Sequence, residues 1–180
     1  MVRGDSNGLI MPTRSPRLDL GSSALQPVVR EMGRTPVRET STARCRRVLL
    51  IESSADCGAA LCALFETGGH KTVVALTGRE GLRQARRGSL DVIVIDLGLA
   101  DMDGCKVVQL IRAEPAGQVP VIIAYSGYHH RETEALNAGC DAFVLKPAIE
   151  ELEWLILATR AEVQQFVETA GPAVGRRFPD

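Results

Sequence analysis

Several apolar runs in this chain end in a residue able to act on phosphate. The stretch VIVID (92–96) carries four β-branched apolar residues straight into Asp96; VLLI (48–51) runs into Glu52 and Ser53; IIAYS (122–126) ends in Ser126, followed by the small Gly127; and FVLK (143–146) ends in Lys146. A carboxylate held beside an ammonium and a hydroxyl is a nucleophile with an oxygen-binding environment around it. Phosphoryl transfer suits that set best. The transferred group spreads negative charge over three oxygens and asks for a metal, a cation and hydrogen-bond donors rather than for acid–base work by histidine. Lys146 can meet one oxygen as a point charge, Ser126 can donate to a second, and a divalent ion between Glu52 and Asp96 can take the third.

For these side chains to meet, the chain must bring the ends of its apolar runs to one edge. From Arg46 onward, short apolar runs alternate with amphipathic segments. VLLI is followed by a helix-period stretch over about 55–67 that buries Ala60, Leu61, Leu64 and Phe65 and stops at Gly68 and Gly69. KTVVAL (71–76) reads as a second strand, with Thr77 capping a helix to about Arg87. DVIVID (91–96) is a third strand, followed by a helix over about 104–113. VPVIIAYS (119–126) is a fourth, followed by a short helix over 130–138; DAFVLKP (141–147) is a fifth, with a helix opening at or just after Pro147. Five such units imply an α/β fold with a doubly wound five-stranded parallel sheet and flanking helices, because each parallel crossover needs a covering helix. Ligands in such sheets bind at the carboxyl ends of the strands.

Composition agrees. Of 180 residues 45% are apolar but only seven are aromatic, so the core is built from Val, Ile, Leu and Ala. The overall charge of −1 is unevenly spread: residues 1–47 hold nine Arg against four acids. Residues 1–44, rich in Gly, Pro, Ser and Thr, are expected to form a disordered basic leader. It has no aromatics to stack on bases and no Lys, so no nucleic-acid role is assigned. No run approaches the ~18–20 apolar residues that span a bilayer, and no secretory signal opens the chain; a cytoplasmic location without membrane contact is expected. The five cysteines sit at no metal-ligand spacing and are read as reduced, mostly buried residues.

Residues 46 to about 158 resemble the response-regulator receiver domain of two-component signalling, the CheY-like family. LLIESS, VIVIDLGLADMDG, IIAYSGY and FVLKP carry the resemblance, with 30 residues from Asp96 to Ser126 and 20 from Ser126 to Lys146. It implies a flavodoxin-like sheet with strand order 2-1-3-4-5. It also implies that Asp96 accepts a phosphoryl group from a histidine kinase or phosphotransfer protein, that Ser126 hydrogen-bonds that group, and that Lys146 pairs with it. Glu52, Asp96 and the Gly98 carbonyl would ligate Mg2+. Ser126 and Phe143 would form the switch, and Pro147 resembles the family's cis-proline site.

The chain departs from the family where Ser53 replaces a second acidic metal ligand, which predicts weaker Mg2+ binding, and where Ala100 replaces a loop proline. Two readings stay open: a working phosphoacceptor, and a phosphorylation-independent pseudo-receiver that acts as an interaction module. A phosphatase using Asp96 as nucleophile lacks an acid two residues on, where Gly98 stands. Asp101 and Asp103 are expected to cap the helix starting near Gly104, and His129 and His130 to lie exposed. Tyr125 and Tyr128 are read as packing residues, with Tyr128 able instead to shield the phosphoryl group from water. The last helix is expected to continue over 159–170 before a flexible tail at 171–180. Trp154 is placed off its buried stripe as an exposed anchor for an effector protein or a second copy of the chain. A stand-alone receiver that signals through protein contacts is the functional expectation.

Overall fold

The computed structural model describes residues 45–114 and 120–171. The leader expected at 1–44, residues 172–180 of the expected tail, and Val119 of the expected fourth strand lie outside them.

Five parallel strands, β1 (Arg47–Ile51), β2 (Lys71–Ala75), β3 (Val92–Ile95), β4 (Val121–Ser126) and β5 (Ala142–Leu145), pair in the order β2-β1-β3-β4-β5. The sheet and its order are those expected. Alternate residues point to opposite faces of a strand, and the two faces collect separate cores. Val48, Leu50, Val92, Val94, Ile123 and Val144 pack under α1 (Ala55–Thr67) and α5 (Ile149–Leu157). Leu49, Ile51, Ile93, Ile95, Ile122 and Phe143 pack under α2 (Gly78–Arg87), α3 (Gly104–Ala113) and α4 (Glu132–Ala138). With both faces covered, β3 and β4 are buried throughout, as their unbroken apolar sequences require.

The helix starts follow local chemistry. Ser54 and Thr77 accept from the backbone N–H of Cys57 and Glu80, three residues on, and satisfy donors that have no partner within the helix. On α1 only Gly58, Leu61 and Phe65 are buried; Leu64 is half-buried and Ala60 exposed, so the buried stripe is narrower than expected. Gly139 takes φ +110°, a left-handed conformation natural to glycine, and closes α4. Of the cysteines, Cys105 and Cys140 are buried, Cys62 is half-buried, and Cys45 and Cys57 are exposed, so most are less buried than expected; all are free. No described helix is long and apolar enough to cross a membrane.

The carboxyl-terminal region differs from expectation. Residues 149–170 form two helices rather than one. Ala158 is extended, ends α5, and hands over to α6 (Arg160–Ala170), whose N-cap Thr159 forms a reciprocal capping box with Glu162. The turn brings α6 back against the sheet, where Val163 and Phe166 join the α1/α5 core. Trp154 is not an exposed anchor: its ring packs on Phe166 at 5.1 Å between centroids.

The turn is held by charge at the amino-terminal edge of the sheet. The Asp141 side chain, 10% exposed, accepts from Arg112 Nη2 (2.6 Å), Arg160 Nη2 (2.7 Å) and the Ile122 backbone N–H (2.8 Å). Arg46 Nη2 donates to the Leu157 and Ala158 carbonyls at the end of α5 (3.1 and 3.2 Å). Asp141→Ala leaves Arg112 without its partner carboxylate in a poorly solvated place. The expected loss is about 3 kcal/mol of unfolding free energy, read by urea denaturation, with Arg160→Ala losing less because that arginine is more exposed.

Candidate functional site

Strands β1, β3, β4 and β5 deliver their polar ends to the carboxyl edge of the sheet. Glu52 follows β1 and is buried; Asp96 follows β3 with its side chain 15% exposed; Ser126 closes β4, fully buried; Lys146 follows β5, half-buried. Parallel register sets these positions side by side. The Asp96 N–H donates to the Ile51 carbonyl (2.9 Å), and the Lys146 N–H to the Ser126 carbonyl (2.9 Å).

The ammonium of Lys146 lies between the two carboxylates, 2.7 Å from Glu52 Oε2 and 3.1 Å from Asp96 Oδ2. The free oxygens are also held: Glu52 Oε1 accepts from the Ser54 N–H (2.9 Å) and Asp96 Oδ1 from the Gly98 N–H (3.1 Å). Burial pulls the Lys146 ammonium toward neutrality, but the Glu52 hydrogen bond and the charge of Asp96 outweigh it and hold its pKa above the usual lysine value. Tyr125 places its ring 5.4 Å from that ammonium. Burial raises the Tyr125 phenol, partly countered by Lys146. Ser126 Oγ accepts from the Tyr128 N–H (3.3 Å), which leaves its own hydroxyl proton to donate elsewhere. The Lys146–Pro147 peptide bond is cis.

The structure thus brings together Glu52, Asp96, Ser126 and Lys146. Gly98 joins them through its N–H, and its carbonyl lies 3.5 Å from Ser53 Oγ. Phe143 is elsewhere: fully buried, in the core under α2, α3 and α4 that also takes Ala135 and Ala138 of α4. Asp103 caps α3 as expected, accepting from the Cys105 N–H (2.7 Å). Asp101 does not. It caps α2 instead, accepting from the N–H groups of Gly78 (2.7 Å) and Arg79 (3.1 Å), which depress its pKa. His129 and His130 sit exposed on a 3₁₀ turn (His129–Arg131), and Tyr125 is buried while Tyr128 is exposed.

Two residues are more important to this site than sequence reasoning recognised. Gly104 opens α3 directly against the loop between β3 and α3: a Cβ there would lie 2.5 Å from the Asp96 carbonyl oxygen and 2.7 Å from Leu97 Cα. A glycine at the first helical position, where it weakens the helix, was the available signal. The other is Arg131. Its guanidinium reaches Asp103 (2.6 Å), Glu134 (2.7 Å), Cys105 Sγ (3.5 Å) and the Leu97 carbonyl (3.2 Å). Asp103, Cys105 and Glu134 are the one cluster of three His, Cys, Asp or Glu side chains among the described residues with ligand atoms close enough for a metal; Arg131 already supplies their cation. Burial pushes the Cys105 thiol up to about 11, so it stays protonated.

The donors around Asp96 suit a small hard cation. Two carboxylates, a backbone carbonyl and a hydroxyl are all oxygen ligands, with one negative charge fewer than a three-acid set because Ser53 is neutral.

Residues 48–156, more than half of the chain, match the response regulator receiver domain. The transcriptional regulatory protein PrrA of Mycobacterium tuberculosis is 32% identical over 126 residues, 69% of this chain and 52% of PrrA. The gliding motility regulatory protein of Myxococcus xanthus is 32% identical over 120 residues, 66% of this chain and 15% of that protein. The chain therefore spans about half or less of these relatives. Among solved structures, the receiver domain of a Francisella response regulator superposes with TM-score 0.57 at 25% identity, over 67% of this chain and 97% of that one. The receiver domain of a Pseudomonas aeruginosa sensor histidine kinase, solved with magnesium coordinated in its active-site cleft, gives TM-score 0.53 at 25% identity, over 69% and 95%. The chain belongs to the response-regulator receiver family, a family of signalling domains of two-component systems rather than of conventional enzymes.

Two outcomes follow from the geometry. Gly104→Ala forces α3 away from the Asp96 backbone and is expected to reduce stability by about 1–3 kcal/mol, seen as a lower urea midpoint. Because the folded state raises the Lys146 pKa, it binds that proton more tightly than the unfolded chain does. The contribution of Lys146 to stability is fully present below about pH 10.4, the unperturbed lysine value, and is lost as pH rises through the folded pKa. The difference in stability between wild type and Lys146→Met should therefore shrink above that pH.

Proposed function

We propose that this receiver accepts a phosphoryl group on Asp96 from a histidine kinase or phosphotransfer protein and signals through altered contacts with an effector protein. The single observation that supports this most is the bridge from Lys146 to both Glu52 and Asp96 at the carboxyl edge of the sheet. It orients a partly exposed carboxylate and places a cation where an added phosphoryl group would bring negative charge.

In the transfer, an Asp96 carboxylate oxygen forms a bond to phosphorus as the bond to the donor breaks, and the leaving group keeps the electron pair. Lys146 then neutralises one phosphoryl oxygen, and the Ser126 hydroxyl donates to another. Glu52, Asp96 and the Gly98 carbonyl would hold Mg2+, with the Ser53 hydroxyl in place of a fourth charged ligand; the ion supplies further charge neutralisation when bound. Binding of phosphate by Ser126 would draw on the β4–α4 loop. The buried Phe143, packed in the same core as α4, is the proposed second element of the switch. The partners proposed are proteins: a phosphodonor, an effector and a second copy of this chain.

Ser53 favours a second reading, an interaction module that no longer needs phosphate, since the missing charge weakens the hold on a divalent ion. Incubation with a small phosphodonor, with and without Mg2+, read by intact mass on wild type and Asp96→Asn, separates them. A Mg2+-dependent gain of one phosphoryl group in the wild type alone is expected. No gain at any Mg2+ concentration by a folded protein would leave the interaction module as the better account.

A further inference from the structure

We propose that Arg131 is a positioning residue for Asp96, acting through a single peptide group; this rests on the reading of Asp96 as phosphoacceptor. Arg131 lies five residues beyond Ser126, at the end of the 3₁₀ turn, yet its side chain crosses to the loop between β3 and α3. Nη1 donates to the carbonyl of Leu97 at 3.2 Å. That carbonyl belongs to the Leu97–Gly98 peptide, and the N–H of the same peptide donates to Asp96 Oδ1 at 3.1 Å. A peptide group is planar with C=O and N–H opposed, so fixing the oxygen aims the hydrogen. Arg131 at one end of the unit therefore directs and polarises the donor that holds the carboxylate at the other end.

The clamp is built rather than incidental. The Arg131 side chain is only 16% exposed. Nη2 reaches Asp103, the cap of α3, while Nε and Nη2 grip both oxygens of Glu134 at 2.7 Å. A second donor, the Gly104 N–H, fixes the same Leu97 carbonyl at 3.1 Å. The planar guanidinium fork spans acceptors on three separate elements at once, whereas the three donors of a lysine ammonium radiate from a single compact point. The same residue is the N-cap of α4, a helix start that no side chain caps. The start of α4 is thereby joined to the nucleophile's loop independently of Ser126, so a partner that displaces α4 would also loosen Asp96.

A residue that merely stabilised α4 would act through Glu134, three positions on in the chain, and would not distinguish the peptide at Leu97. Glu134 touches none of Glu52, Asp96, Ser126 or Lys146 in the contacts above, and its ion pair is solvent-exposed on the glutamate side. The test compares Arg131→Ala, Arg131→Lys and Glu134→Gln in the full chain. Two quantities are measured: the initial rate of phosphoryl uptake from acetyl phosphate with Mg2+, and amide hydrogen exchange at Gly98 and Gly104. Arg131→Ala should lower uptake at saturating donor by about tenfold or more, through misplacement of the nucleophile, and speed exchange at both amides by about tenfold. Arg131→Lys should fall between, and it is the variant to read should the alanine protein not fold. Glu134→Gln keeps an oxygen acceptor for Arg131 and removes only the charge on the exposed side, so it should leave uptake within about twofold of wild type. Wild-type uptake and exchange in both arginine variants would overturn the proposal, as would a loss of uptake in them with exchange at Gly98 and Gly104 unchanged. If the wild type itself took no phosphoryl group, the phosphoacceptor reading would fail, and exchange at Gly98 and Gly104 would still decide whether the clamp exists.

Discussion

Lys146 stands between two carboxylates that would otherwise repel each other at the end of an apolar sheet. Glu52 is buried and Asp96 nearly so, and leaving either charge uncompensated there is unfavourable by several kcal/mol. One ammonium serves both, with backbone N–H groups from Ser54 and Gly98 on the remaining oxygens. The rest of the carboxyl edge is arranged around that pairing. β1, β3 and β5 must end level with one another, and β4 must place Ser126 between them. A parallel sheet in this order does so with no long loop inside the core.

The opposite edge of the sheet solves a different problem by similar means. Asp141 gathers two arginines and a backbone N–H, and so ties α3, α6 and the starts of β4 and β5 to one point. Arg46, just ahead of β1, closes the end of α5. These contacts let α5 stop at Leu157 and α6 turn back onto the core, where Phe166 covers Trp154. The aromatic surface that a longer α5 would have presented is thus partly covered within the domain.

Much of this was legible in the residues. Unbroken β-branched runs such as VIVI specify buried parallel strands, because no position along them tolerates water. Thr77 and Asp103 announced helix starts by chemistry that acts within three residues. The capping box at Thr159 and Glu162 was equally local and equally readable, yet an apolar period running through Thr159 obscured it. Trp154 went with it: a residue off the stripe of one long helix becomes covered once the helix is two.

Asp101 and Arg131 mark the limit. Asp101 sits two residues before the cap of α3 but caps α2, because its partners, Gly78 and Arg79, are more than twenty residues away in the chain and adjacent only after the sheet has formed. Arg131 meets Leu97 and Asp103 across the same kind of distance. The amino-acid sequence by itself determined the strands, most helix starts, and the four polar strand ends that form the site, since each depends on burial periodicity or on neighbours within one turn. Only the tertiary structure decided which long side chains cross between loops, where α5 stops, and how Leu97 is held. Those outcomes depend on the distances between elements rather than on the order of residues within them.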